Sequence, residues 1–494
     1  MIKQMRNLTR TIFVMFLALF VALSIIQIVQ VDDLRANPIN ERTARNSFKV
    51  ERGSILVEGR PIARSLPSND TYRFSREYTD GPMYSAITGY FSHYQGSAGV
   101  EKVLNNELSG LANTQFFERL KRIISGQEPQ GSSVELTIKS KAQKVAYDAL
   151  KPYEGAVVAL DAKTGDILAM AHTPTYDPNL LSSNNDQEII SAYKELDQHK
   201  DKPLLNRSLG GKAYHPGSTF KLVTAAAALE KTGATPATEY PNPVSLQLPG
   251  SNSHIFNSTR AACGGGGEKV TLKTALAYSC NVQFSQIAMN MDPAEFRKIA
   301  QDFGYEQKLD VPIPVTPSVF GKPVDKAQAA LTGIGQLDVT ASPLQAAMVT
   351  ATIANNGARM KPNLVSNIIR PNLSIEKKYT PEQINRPISE KTAKYLQEMM
   401  IAGVTEPGAY AADAKIPGAV VGGKTGTAEN GHAPDGRPRP YTIWFTGYAQ
   451  KGNKTVAVAV VIADGGGPSA NFQGSSSDIP LKIGKQVMEA VLSE

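Results

Sequence analysis

The 494-residue sequence predicts an α+β protein, in which an antiparallel sheet carries helices on its faces. A small mixed domain and one transmembrane helix precede it. Three observations carry that reading: a long apolar run near the N-terminus, a polar, turn-broken stretch behind it, and a late group of apolar strands with helices on either side. Hydrophobic residues make up 41% and charged residues 20%, the balance of a folded chain and not of a disordered one. At roughly 100–200 residues per domain, the length allows two to four folded units.

From Thr11 to Val31 there is no charged residue. At ~1.5 Å per residue a helix over this run is about 31 Å long, enough to cross a bilayer core. Lys3, Arg6 and Arg10 precede the run and Asp32 and Asp33 follow it. The positive-inside rule then keeps residues 1–10 cytoplasmic and sends everything after the 11–31 anchor outside. A cleaved signal peptide is the alternative, but its apolar core spans only ~7–15 residues and ends at a small-x-small site. Here the run ends in Ile25-Ile26-Gln27-Ile28-Val29-Gln30, which favours an uncleaved anchor.

Residues 32–131 are polar and broken by turn signals such as Glu58-Gly59-Arg60-Pro61 and Thr79-Asp80-Gly81-Pro82, and read as a mixed domain without a catalytic constellation. The pattern changes at Ser132, where the second domain, 132–494, is expected to begin. Val134–Ile138 alternates like a strand and Lys139–Leu150 like an amphipathic helix. The apolar runs Gly155–Asp161 and Ile167–Met170 flank a short Gly-containing turn, the signature of a β-hairpin. The Ala-rich stretch Phe220–Leu229 predicts a helix, and loops are expected to dominate 233–268, ending in Gly264-Gly265-Gly266-Gly267. Ser342–Asn355 predicts another helix, Ala419–Ala428 an edge strand, Thr442–Ala449 and Thr455–Ala463 two further strands, and Leu481–Leu492 a last helix.

Net charge is +7, with no block of five or more basic residues, so nucleic acid is not an expected partner. Two cysteines without a CxxC, and six histidines without HxxxH spacing, argue against a metal site, and no cofactor is expected. On the outer side of a membrane Cys263 and Cys280 can pair, although two free thiols remain the alternative. Closing that loop would stabilise the fold by ~3 kcal/mol in the chain-entropy model.

Three short patterns occur in order: Ser218-Thr219-Phe220-Lys221, Ser279-Cys280-Asn281 and Lys424-Thr425-Gly426. Ser218 opens the Ala-rich helix after Pro216-Gly217, and Lys221 returns to the same face one turn on. A serine hydroxyl needs a base to become a nucleophile, and a lysine serves only if burial and a neighbouring cation such as Lys424 lower its pKa. Ser279 can relay a proton between amines, and Asn281 can offer its amide to a peptide. Glycines at 422, 423 and 426 let an extended peptide lie along the strand edge, with the Thr425 and Thr427 hydroxyls near its carboxylate. Singly, each pattern also reads as structure: an N-cap serine with a solvated lysine, a helix-initiating turn, a Gly-rich strand.

Taken together, the SxxK, SxN and KTG set resembles that of penicillin-binding proteins and serine β-lactamases. Arg52-Gly53-Ser54-Ile55, Gly96–Lys102, Gly333-Ile334-Gly335-Gln336 and Trp444–Tyr448 narrow the resemblance to class B penicillin-binding proteins, most like the actinobacterial penicillin-binding protein A type. The resemblance implies a penicillin-binding transpeptidase domain with an added helical subdomain, on an N-terminal pedestal or dimerisation-like domain. It further implies that Ser218 attacks the D-Ala-D-Ala carbonyl of a donor stem peptide while Lys221 takes its proton. The backbone N–H groups of Ser218 and Thr427 would form the oxyanion hole, Thr425, Gly426 and Thr427 would bind substrate, and an acceptor peptide's amine would resolve the acyl-enzyme. β-Lactams would acylate the same serine. A membrane glycosyltransferase and division or elongation proteins are the implied partners. Cys280 lies inside the SxN pattern, so a bridge to Cys263 would pin the cleft wall that carries Ser279 and Asn281.

A membrane-anchored serine β-lactamase, a D,D-carboxypeptidase and a non-catalytic division scaffold are the alternatives. A scaffold would be expected to have lost Ser218, Lys221 or Lys424, and all three are present. The ~100 residues before 132 leave too little chain for a second catalytic domain.

Overall fold

The computed structural model describes residues 2–26, 30, 48, 50–112, 130–309 and 311–494. Helix α1 (Ile2–Ser24) contains a 21-residue stretch, Gln4–Ser24, long and apolar enough to cross a membrane. Phe13, Phe16 and Phe20 on it are exposed, as lipid-facing side chains would be. The end of the expected anchor at 27–29 and 31, and Asp32 and Asp33 behind it, lie outside the described residues.

Strands β1 (Ile55–Val57), β2 (Arg60–Pro67), β3 (Phe74–Tyr78), β4 (Ser133–Leu136), β5 (Gly155–Asp161), β6 (Ile167–Thr173), β7 (Val365–Ile369), β8 (Ile375–Lys378), β9 (Val420–Ala428), β10 (Thr442–Lys451) and β11 (Lys454–Ile462) build two principal sheets. The first has six strands in the order β8-β7-β4-β1-β2-β3. Its β1 and β4 run parallel, with Ile55 opposite Val134, and its other pairs are antiparallel. Strands from both sides of residue 132, and a hairpin from far downstream, thus share one hydrogen-bonded surface.

The second sheet, in the order β9-β10-β11-β5-β6, is wholly antiparallel, with β9 at one edge. Both of its faces are covered. Val157, Ala159, Val458 and Val460 pack with helix α2 (Ser140–Leu150) and the C-terminal helix Ile479–Leu492. Their neighbours Ala156, Val158, Ala457, Ala459 and Val461 pack on the opposite side with helix Pro343–Ala354. Side chains alternate between faces with period two, so double coverage makes the sequence a continuous apolar run. Helix Pro343–Ala354 starts where expected, because Ser342 Oγ accepts from Gln345 N over 3.1 Å and Pro343 presets the first turn.

One expectation needs correction. Ser218 does not open an α-helix; a 3₁₀ turn, Gly217–Phe220, precedes helix α3 (Lys221–Lys231). Gly217 with φ +51° is not helical, so the chain enters the helix through a tighter turn. Loops dominate 233–268, interrupted only by short strands: Glu239–Pro241 pairs with Lys269–Thr271, and Ser245–Gln247 with His254–Phe256. These three-residue strands are too short to carry an alternation signal.

Candidate active site

The turn bearing Ser218 is fixed by backbone contacts that only glycine permits. A Cβ on Gly217 would sit 2.4 Å from Thr427 O, and one on Gly426 would sit 2.8 Å from Thr219 Cγ2 and 2.9 Å from Pro216 O. The edge strand β9 therefore touches the turn bearing Ser218 directly, which sets Ser218 beside Thr427. Trp444 lies opposite Gly426 in β10 and is fully buried. Its Nε1 donates to His215 O over 2.9 Å, tying the sheet to the residue before Pro216.

Lys221 is completely buried one turn into the site. Its Nζ donates to Ser279 O and Asn281 Oδ1, both at 2.7 Å, and lies 3.4 Å from Ser279 Oγ. Lys424 Nζ, from β9, donates to Ser279 Oγ over 2.7 Å and to Thr425 O over 2.8 Å. Ser279 stands in the turn between helix α4 (Leu272–Ala277) and helix α5 (Asn281–Asn290), at φ +53°, a left-handed conformation uncommon for serine. Strain of this kind, held at a point where two amines meet, is typical of functional positions. Asn281 Nδ2 is occupied by Phe256 O at 2.8 Å.

Burial, reinforced by the Lys424 charge, drives the Lys221 pKa well below the usual lysine range. Burial alone lowers Lys424 to about 7. The site thus holds one amine suited to accept a proton and one near the point of losing its own. Among the described residues no hydrogen bond joins Lys221 to the Ser218 hydroxyl, and its amine is held by the Ser279-Cys280-Asn281 segment.

Cys263 and Cys280 form a disulfide, their Cα atoms 5.8 Å apart. The bridge attaches the Ser279–Asn281 turn to a segment held by Asn242, whose Oδ1 accepts from Cys263 N at 2.8 Å and whose Nδ2 donates to Cys263 O at 3.0 Å.

A cleft of about 830 Å³ opens over these groups, and Ser218, Ser279, Asn281, Thr425, Gly426 and Thr427 all line it. Lys221 and Lys424 lie beneath its floor. The structure adds residues that motif reading passed over. Ser476 Oγ is 3.2 Å from Thr427 Oγ1, and Tyr441 lines the same wall. A Gly-Ser-Ser-Ser tract before the last helix is visible in the sequence, but nothing local places it against β9. Gln336 also lines the cleft, and Gly335 beside it accepts the Gly217 N–H over 3.0 Å. The arrangement suits acyl transfer: a serine in a tight turn before a helix, a lysine whose buried ammonium is disfavoured, a hydroxyl between two amines, and a strand edge for an extended peptide.

The chain matches the penicillin-binding protein transpeptidase domain over residues 155–489 and the penicillin-binding protein A dimerisation domain over residues 52–134. It belongs to the penicillin-binding protein transpeptidase family. Among its relatives is the peptidoglycan D,D-transpeptidase PbpA of Mycolicibacterium smegmatis, 35% identical over 498 residues that span 99% of each chain. Penicillin-binding protein A from M. tuberculosis, solved as a ceftriaxone acyl-enzyme complex, superposes with a TM-score of 0.85 at 34% identity, covering 91% of this chain and 100% of that one. Its penicillin G acyl-enzyme complex gives a TM-score of 0.82 at 33% identity, covering 90% and 100%.

Proposed function

We propose that this protein is a peptidoglycan D,D-transpeptidase that works through a serine acyl-enzyme and is acylated by β-lactams. The observation that carries the reading is the convergence of Lys221 and Lys424 on Ser279 Oγ at the floor of the cleft that Ser218 lines.

The donor stem peptide lies along β9, with its terminal carboxylate at the Thr425 and Thr427 hydroxyls. Ser218 Oγ attacks the penultimate D-Ala carbonyl and its proton passes to the neutral Lys221 amine. The N–H groups of Ser218 and Thr427 hold the oxyanion. The C–N bond then breaks and terminal D-Ala leaves, its amine protonated through Ser279 and the Lys221–Lys424 pair. An acceptor amine attacks the ester, the proton returns to Ser218, and the cross-link is released. Asn281 exchanges its bond to Phe256 O for the acyl chain. With a β-lactam the cleaved ring stays attached, so the acyl-enzyme persists.

Residues 11–31 serve as the membrane anchor with 1–10 in the cytoplasm, 32–131 as the pedestal and 132–494 as the extracytoplasmic catalytic domain. A membrane glycosyltransferase and division or elongation proteins are the proposed partners. Labelling with a fluorescent penicillin tests the site: the wild type should retain a stable adduct and Ser218→Ala none. Equal labelling of both would overturn the assignment, and rapid release of hydrolysed penicillin would favour a β-lactamase.

A further inference from the structure

The small N-terminal domain buries two cations around one carboxylate. Arg52 and Arg76 are 3% and 7% exposed, and Glu101 is wholly buried. Arg52 Nε donates to Glu101 Oε2 at 2.5 Å and Arg76 Nε to Oε1 at 2.7 Å. Arg52 spends its other donors on Asn105 Oδ1 at 2.8 Å and Glu101 O at 2.6 Å, with its guanidinium 4.0 Å over the Phe91 ring. Arg76 Nη1 makes only long contacts, 3.4 Å each, to Arg52 O and Ser65 Oγ. Among the described residues, Arg76 Nη2 is buried with no hydrogen-bond partner.

One formal positive charge is therefore left over in an interior where an unpaired ion is strongly disfavoured. Glu101 is the carboxylate acting on Arg52, and burial outweighs it, holding the Arg52 pKa below its usual value. Beside the pair lies a cavity of about 20 Å³ lined by Arg52, Arg76, His93, Ser65, Ser182 and Asn184, and among the described residues no carboxylate lines it. Ser182 Oγ is likewise buried without a partner. The volume exceeds the ~10–15 Å³ that one small occupant needs. Arg76 Nη2 is the charged donor left free beside it among the described residues, since Ser65 donates to Arg52 O, Asn184 Nδ2 to Phe74 O, and Arg52 to Glu101 and Asn105.

We propose that this cavity is a binding site for a single monatomic anion of chloride size, held chiefly by Arg76 Nη2. A water molecule could accept one hydrogen bond from Arg76, but it would leave the charge uncompensated. A halide does both, and locks together the hub through which β2, β3 and helix Gly99–Val103 meet.

The test uses the full-length chain in detergent, melted in sodium chloride and in sodium gluconate at equal ionic strength. Gluconate is too large for the cavity. The wild type should melt at least about 2 °C higher in chloride, with a saturable dependence on its concentration. Arg76→Met should abolish that chloride-specific increment. Crystals grown in sodium bromide should show an anomalous peak in the cavity next to Arg76 Nη2. Equal melting in the two salts, or a cavity holding only water in bromide, would overturn the proposal. Should Arg76→Met not fold, the wild-type salt comparison and the bromide peak decide the matter without it.

Discussion

Lys424 donates a 2.7 Å hydrogen bond to Ser279 Oγ, the same oxygen that Lys221 approaches at 3.4 Å from another motif. Two ammonium groups this close and this deeply buried repel each other, so one of them gives up its proton more readily. Lys221 is that group, because it carries both the burial penalty and the Lys424 charge.

The pH dependence of acylation follows. In the proposed mechanism Lys221 must be neutral to accept the Ser218 proton, so penicillin acylation should fall on the acid side as Lys221 gains a proton. It falls again on the alkaline side as Lys424, lowered to about 7, loses its own. Lys424→Gln removes the repelling charge, so the Lys221 pKa rises and the acid limb moves to higher pH. The shift is partial, because burial remains. The acylation rate should drop by about 10²–10³-fold, the usual loss for an electrostatic group of this kind. Stopped-flow acylation over a pH series measures both effects, and an unmoved acid limb would refute the coupling.

Cys263 and Cys280 are separated by 17 residues, and Cys280 sits between two residues of the site. Replacing both with serine should lower unfolding free energy by ~3 kcal/mol. It should also slow acylation, because the Ser279 turn loses its tether. Melting and acylation with and without reductant check this. If neither changes, the bridge has no part in positioning Ser279.

Gly335→Ala should damage the site without touching substrate. Gly335 has φ +74°, and a Cβ there would lie 2.2 Å from Gly217 O. Relief requires the Gly217 turn to move, and Ser218 with it. A stability loss of about 2 kcal/mol or more is expected, together with weaker penicillin labelling. Urea unfolding and labelling rates measured on the same preparation are the readouts; a variant with wild-type values in both would contradict the close packing.

Ser476→Ala should act on binding. Ser476 Oγ lies 3.2 Å from Thr427 Oγ1, where the substrate carboxylate is proposed to sit. Losing one neutral hydrogen bond costs about 0.5–1.5 kcal/mol, so KM for a D-Ala-D-Ala peptide should rise roughly three- to tenfold with kcat little changed. A fall in kcat alone would place Ser476 elsewhere in the cycle.

What was legible in the sequence was local. Ser218 and Lys221 are one helical turn apart, and Lys424, Thr425 and Thr427 lie on one short strand, so spacing alone groups them. The second sheet was legible because double-sided burial leaves continuous apolar runs at 155–160 and 456–462. Hidden from such reading were contacts that tertiary structure alone creates. Ser476 reaches Thr427 across 49 residues, Gly335 meets Gly217 across more than a hundred, and Trp444 holds His215 O across 229. The same holds for the first sheet, where β7 and β8 are short and carry no sign of their distant partners.

That sheet has a consequence for how the molecule comes into being. Strands β1 to β4 leave the ribosome early, yet β4 is bordered on one side by β7, which ends at Ile369. Until more than two hundred further residues have been synthesised, β4 keeps a row of unpaired amides and carbonyls on that side. Pairings of such sequence separation form slowly, and an open edge invites association with other chains. The first sheet to be started thus stays open across most of the synthesis of the catalytic domain, until Ile375–Lys378 has emerged.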